Sequence, residues 1–263
     1  MEPKSFLLCI VAMVIPQKIY LILVLISAAS ASSLFAKNPP AKEKSNIEVS
    51  AMFENHIKDL YTVSLLKEKG LSYEVFRLGM VGYYNIKHQD LLSSKGIISI
   101  IDFEKPSTEQ RLWIIDVNNK KLLYHSLVAH GKNSGDNKAT TFSNCPSSNM
   151  SSVGFFVTRN GYIGKHGLSL VIDGLDHQFN SNAKSRAVVI HSADYVSEEF
   201  IKSYGRLGRS QGCPAIPVEN HEEVINTIKD GTALFIHSPC VRYSSSYLDE
   251  QTAIKEFIAG NGE

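Results

Sequence analysis

Apolar positions along the chain change their period near Gly96. Before it, Phe53, Ile57, Leu60, Tyr61 and Leu65 recur at helical spacing with Glu54, Lys58 and Asp59 between them, and Gly70 stands where a helix would stop. A second helical stretch puts Tyr73, Phe76, Met80 and Tyr84 on one face; Gly79 and Gly82 weaken it and let another element approach closely. Beyond Gly96 come short runs of isoleucine, valine and aromatic residues, at 97–103, 112–117, 122–128, 153–157, 168–172 and 187–191, which read as strands. Asn118-Asn119 supplies a tight hairpin turn, since Asn tolerates the left-handed conformation. Ser197, Glu198 and Glu199 open a helix that runs to Gly205, and 219–230 forms another, ended by Gly231 before a strand at 233–237. The polar stretch from His130 to Ser152 is longer than an ordinary connection, and such loops are more often functional than idle. The pattern predicts a mainly β domain with helices at its start and short helices in its later connections.

The first residues follow a different logic. Phe6–Ile15 and Ile19–Ala29 are apolar blocks divided by Pro16, Gln17 and Lys18. Read from Met13, a basic residue, an apolar core and a small-residue close follow in the order of a secretory signal, so 1–36 is assigned as one, with cleavage after Ala31 or Ala36. Read from Met1, the two blocks together could span a bilayer as an uncleaved anchor. Residues 37–50, with Pro39 and Pro40, read as a linker, 51–95 as an N-terminal helical segment packing on the domain, 96–240 as the main β domain and 241–263 as a partly helical tail. The expectation is an exported protein of the periplasm or cell envelope, with no stable membrane span once the signal is cleaved. Cys9 falls in the signal, which leaves Cys145, Cys213 and Cys240, an odd number for an exported chain. Cys213 is the candidate free thiol; whether Cys145 and Cys240 pair is left open.

Charge excludes one class of partner. Lys and Arg total 27 against 26 Asp and Glu, a net +1, which gives no broad basic footprint for nucleic acid.

The segment GRLGRSQGCPAIP, Gly205 to Pro217, sets Cys213 between a glycine that admits close backbone approach and a proline that breaks a ladder. A thiol of ordinary pKa, about 8.5, is only slightly ionised at neutral pH, so a base or a positive field is needed to activate it. His191 closes the apolar run Ala187–Ile190, where a strand delivers its last side chain to a cleft. Cysteine and histidine together carry the logic of covalent acyl transfer. Arg206 and Arg209 flank the thiol as candidate carboxylate binders, the alternative being two surface arginines. His166, His177 and His191 lack metal-site spacing, and the scattered glycines form no phosphate loop.

HSADYVSEEF from His191 followed by GRSQGCPAIP from Gly208 resembles the YkuD-type L,D-transpeptidase signature, a histidine ahead of Ser-x-Gly-Cys. IIDFEKPSTEQRLWIIDV, VAHGKNSG, SSVGFF and GKHGLSLVIDGLDHQFN resemble the murein L,D-transpeptidase catalytic-domain branch, so the likeness spans roughly 53–237. It implies an L,D-transpeptidase-type β-sandwich that acts on peptidoglycan stem peptides, with no metal and no cofactor, and it names no protein partner. Cys213 maps onto the nucleophile, His191 onto the base, Gly212 and Cys213 onto backbone oxyanion donors and Ser210 onto the hydroxyl that shapes the loop. His166, with Gly167 beside it, resembles a substrate-pocket position. Gln211 replaces the second histidine of the commoner Ser-His-Gly-Cys form, so the base is His191 alone and Gln211 offers at most its backbone N–H to substrate. Two other outcomes share the cleft: an L,D-carboxypeptidase, in which water takes the acyl group, and a wall-binding module without turnover. A papain-like protease is disfavoured by chain order, since its cysteine precedes its histidine.

Overall fold

A computed structural model describes residues 45–165 and 167–260. Helix α1 spans Asn46–Val63 and α2 Tyr73–His88. Strands β1 (Ile97–Asp102), β2 (Leu112–Asp116), β3 (Lys121–Ser126), β4 (Gly154–Gly164), β5 (Gly167–Gly174) and β6 (Val189–Ser192) follow. Helix α3 (Glu198–Tyr204), β7 (Ala215–Ile216), α4 (His221–Ile228), β8 (Ala233–His237) and α5 (Glu250–Gly260) complete the order. The stretch assigned to the signal lies outside the described residues; α1 begins at Asn46, inside the stretch read as linker, with Glu48 in its first turn where a negative charge suits the helix dipole. Among the described residues no helix is long and apolar enough to cross a membrane.

The strands form one sheet in the order β3-β2-β1-β8-β4-β5-β6-β7, antiparallel except for the pairs β1–β8 and β6–β7. The mainly β fold expected from sequence is the fold observed. Its two facing layers are halves of that one sheet, which curls until Ala129, just past β3, bridges Ala215 of β7. Both faces are buried. Ile98, Ile100, Trp113, Ile115, Phe155 and Phe235 pack under the helices, while Ile97, Ile101, Ile114, Phe156, Ile190 and Leu234 face the enclosed core with Val224, Ile225 and Ile228 of α4. Two-sided burial explains why these strands read as unbroken apolar runs rather than as alternation. Each fully buried side chain of this kind contributes about 1.5–3 kcal/mol.

Gly79 and Gly82 do let α2 come close: a Cβ on Gly82 would lie 2.0 Å from the Phe155 ring, and one on Gly79 3.0 Å from Ile100 Cδ1. Three local expectations are corrected. Leu65 is not on the α1 face; it takes a left-handed φ of 54° and is exposed, because the helix closes with Leu66 N–H donating to Tyr61 O and Leu65 N–H to Thr62 O, which buries Leu66 instead. In the β2–β3 hairpin the left-handed residue is Lys120, not an asparagine, since Asp116 Oδ1 accepts the Asn119 N–H and fixes the turn from its side chain. Strand β4 runs on to Gly164, well past the apolar run, as the solvent-facing arm of the β4–β5 hairpin. Helix α3 matches expectation, with Ser197 Oγ accepting from Phe200 N–H at 3.2 Å and Gly205 left-handed at φ 71°. In the stretch read as a tail, α5 buries Ala253, Ile254 and Phe257, the last against Phe53 and Tyr84.

Candidate active site

The parallel pair β6–β7 brings the two key side chains into one cleft. Register sets His191 opposite Ala215, two residues past Cys213, and both His191 and Cys213 line a cleft of about 690 Å³. His191 is buried, and its Nδ1 lies 2.9 Å from Ser192 O. A carbonyl can only accept, so the Nδ1 that faces it carries a proton and donates to Ser192 O. The half-buried Cys213 thiol lies against the start of β6: Val189 N–H donates to Sγ at 3.5 Å, and Sγ stands 3.7 Å from Ala187 O. Burial pushes the thiol up, while the Val189 N–H, Arg186 and Lys165 pull it back.

The loop around Cys213 is tied internally. Ser210 Oγ donates to Cys213 O at 2.6 Å and accepts the Gly212 N–H at 3.0 Å. The Gly212 N–H, expected to face a substrate oxygen, is therefore occupied by Ser210. Among the described residues the Cys213 N–H has no acceptor within the chain. Gly212 has φ 120°, and a Cβ there would lie 2.7 Å from Met150 O, so only glycine fits. Ser210 N–H donates to His130 O and Lys132 N–H to Ser210 O, which joins this loop to the polar stretch after β3.

His130 is fully buried and is not part of the cleft lining. Its Nδ1 lies 2.9 Å from Nη2 of Arg111, a guanidinium with no exposed surface that also donates to Val128 O and Lys105 O. Burial and the Arg111 charge hold His130 down at about 4, and burial holds Arg111 at about 9.

Of the remaining expected residues, Ser210, Gln211 and Arg209 line the cleft. Arg206 and Gly167 do not. Arg206 pairs with Asp136 at 2.8 Å and Arg209 with the same carboxylate at 3.2 Å, a long-range partner that sequence did not reveal. Gly167 turns the β4–β5 hairpin at φ 73°; His166 lies outside the described residues. Sequence reading missed Arg186, Tyr195 and Lys165, all of which line the cleft. The available signal was Arg186 directly ahead of the apolar run that ends in His191. Burial raises Tyr195 to about 12, with Cys213 adding to the shift. Among the described residues Asp102, Glu104 and His237 are metal-type ligands whose ligand atoms lie within 4.8 Å of one another, but Asp102 Oδ1 and His237 Nδ1 bond each other at 3.0 Å and none of the three lines the cleft. Cys145 and Cys240 are exposed, and no disulfide occurs among the described residues.

Comparison with known proteins gives the lineage. The L,D-transpeptidase catalytic domain family matches residues 67–237. Similar solved structures include an L,D-transpeptidase from Mycobacterium smegmatis (11% identity, 54% of this chain and 59% of that one, TM-score 0.35). Another is the helical cell shape determining protein Pgp2 from Campylobacter jejuni (9% identity, 69% and 64%, TM-score 0.40). A third is L,D-transpeptidase 3 from Mycobacterium tuberculosis (10% identity, 54% and 61%, TM-score 0.35). The chain thus spans about three fifths of the length of these structures. No curated protein matches it. With the family match covering well over half of the 263 residues, including both the His191 strand and the Cys213 loop, the chain belongs to the L,D-transpeptidase catalytic domain family.

Proposed function

We propose that the protein is a cysteine-dependent L,D-transpeptidase of peptidoglycan, exported to the periplasm or cell envelope by a secretory signal in residues 1–36. The observation that carries this reading is that Cys213 and His191 share one cleft whose lining, among the described residues, includes Lys165, Arg186 and Arg209 and no Asp or Glu. A stem peptide is rich in carboxylates, and a cleft of this sign attracts it.

In the proposed reaction His191 Nε2 takes the Cys213 thiol proton, and the thiolate attacks the carbonyl of the third, diamino-acid residue of a tetrapeptide stem. The C–N bond to the terminal D-alanine breaks, the amine leaves with the proton returned by His191, and a thioester remains. The amine of a second stem then attacks the thioester to give a cross-link and restore the thiol. Negative charge on the tetrahedral oxygen needs donors already in place, and the unoccupied Cys213 N–H is the one that this loop supports; removing such a donor elsewhere costs about 2.7–4 kcal/mol. Ser210 holds the loop in shape through Gly212 N–H and Cys213 O. Arg209 and Gln211 sit at the cleft wall as substrate contacts. Lys132 and Gly135 carbonyls and Asp136 keep the Arg209 guanidinium in place.

The test is digestion of purified sacculi and separation of muropeptides after incubation with wild-type or Cys213→Ala protein. Wild type should release D-alanine and form new cross-links, and the variant should do neither. Release of D-alanine without cross-links would favour the carboxypeptidase reading, and no change with wild type would favour a wall-binding module.

A further inference from the structure

Arg186 is the cleft residue that sequence reading passed over and whose hydrogen-bonding capacity is most fully used. Its Nη1 donates to Ser143 O at 2.8 Å and Ser152 Oγ at 2.6 Å, and its Nη2 to Met150 O at 2.7 Å and Ser148 Oγ at 3.2 Å. A guanidinium has five N–H donors, so a fork filled this way keeps only Nε–H and cannot offer a ligand carboxylate two parallel bonds. Substrate gripping is thereby removed from its possible roles. All four bonds run to one segment, 143–152, whose Pro146, Ser147 and Asn149 form part of the cleft wall.

That segment rests on the backbone of the Gly-Cys pair. Arg186 Nη2 lies 3.4 Å from where a Cβ on Gly212 would stand, and Met150 O, which Arg186 holds, lies 2.7 Å from the same point. Ser151 Oγ adds a bond to Gly212 O at 3.2 Å. We propose that Arg186 is the positioning residue of the site, stapling segment 143–152 over Gly212 and fixing one positive charge beside the Cys213 sulfur. This rests on Cys213 being the nucleophile. Among the described residues Arg186 and Lys165 are the cations that bear on the thiol. Lys165 is exposed and its field is screened by water, whereas Arg186 is half-buried and held by four hydrogen bonds, so its charge is the steadier of the two.

The experiment measures the rate of iodoacetamide alkylation at Cys213 against pH, on the full chain, with peptide mass spectrometry to separate Cys213 from the other thiols. Hydrogen exchange across 143–152 is followed in parallel. Arg186→Met should raise the pH midpoint of alkylation by about one unit or more and speed exchange in the segment. Arg186→Lys keeps the charge but not the four bonds, so its midpoint should return most of the way to wild type while exchange stays fast. Ser148→Ala should speed exchange modestly. A folded Arg186→Met protein with a wild-type midpoint would overturn the electrostatic half of the proposal. Unchanged exchange in both Arg186→Lys and Ser148→Ala would overturn the staple, whether or not the methionine variant folds. Carbapenem acylation of wild type is scored separately: a Cys213 that alkylates but never acylates contradicts the nucleophile reading and leaves the Arg186 result standing by itself.

Discussion

Two grooves flank the β6–β7 pair, and they differ in sign. The larger holds Cys213 and His191 among Lys165, Arg186 and Arg209. The smaller, about 470 Å³, is lined past the far ends of the same strands by Asp194, Glu198, Glu199 and Glu219 and, among the described residues, by no Lys, Arg, His or Cys. Concavity is common to both. What separates them is a thiol beside an imidazole on a rigid strand, and a lining of cationic rather than anionic side chains. The proposed chemistry thus belongs to the chain leading into β6 and β7, where Ala187 and Val189 lie against the Cys213 sulfur, and not to the strand pair as such.

Substitutions in either groove separate the two. His191→Ala should slow carbapenem acylation by roughly 10²–10⁴-fold at neutral pH, as loss of a general base does, and stopped-flow absorbance would follow it. Gly212→Ala forces a Cβ against Met150 O at a strained φ and should lower acylation by about 10²-fold, comparable to losing an oxyanion donor. Melting temperature distinguishes this local distortion from unfolding. Acid should loosen the support beneath the loop. His130 is held down at about 4 against a usual 6.5, so the unfolded chain binds more protons between those values. The stability this neutral histidine contributes is fully present above pH 6.5 and fades as pH falls toward 4, by about 3 kcal/mol in all. Urea unfolding of wild type and His130→Gln across that window should show a flatter curve for the variant. The smallest effect belongs to the acidic groove: Glu199→Gln should change acylation less than about twofold, because an exposed charge outside the cleft acts through screened water.

Much of this was legible in the sequence, and most of what was not lies in long-range contacts. The strands β1, β2 and β8 could be read because burial on both faces leaves continuous apolar runs. Ser197 and Gly205 marked α3 because capping is a local matter. Cys213 and His191 stood out because glycine and proline around the one, and an apolar strand ahead of the other, are local signals too. Arg186 and the Asp136 partner of Arg206 escaped because these contacts join residues far apart along the chain, Arg186 to 143–152 and Arg206 to Asp136. The bond from Gly212 N–H to Ser210 Oγ is local, two residues apart, and was missed because a serine hydroxyl in a bend can take a backbone donor that the resemblance assigns to substrate. Strand β7, two residues long, is set by register with His191 and Ser192 rather than by its own composition.

Intact-protein mass spectrometry after exposure to a carbapenem tests the Cys213 assignment most directly. Wild type should gain one adduct that maps to the Cys213 peptide, and Cys213→Ala should gain none while keeping its melting temperature. An adduct of the same mass on the alanine variant would place the nucleophile on another residue.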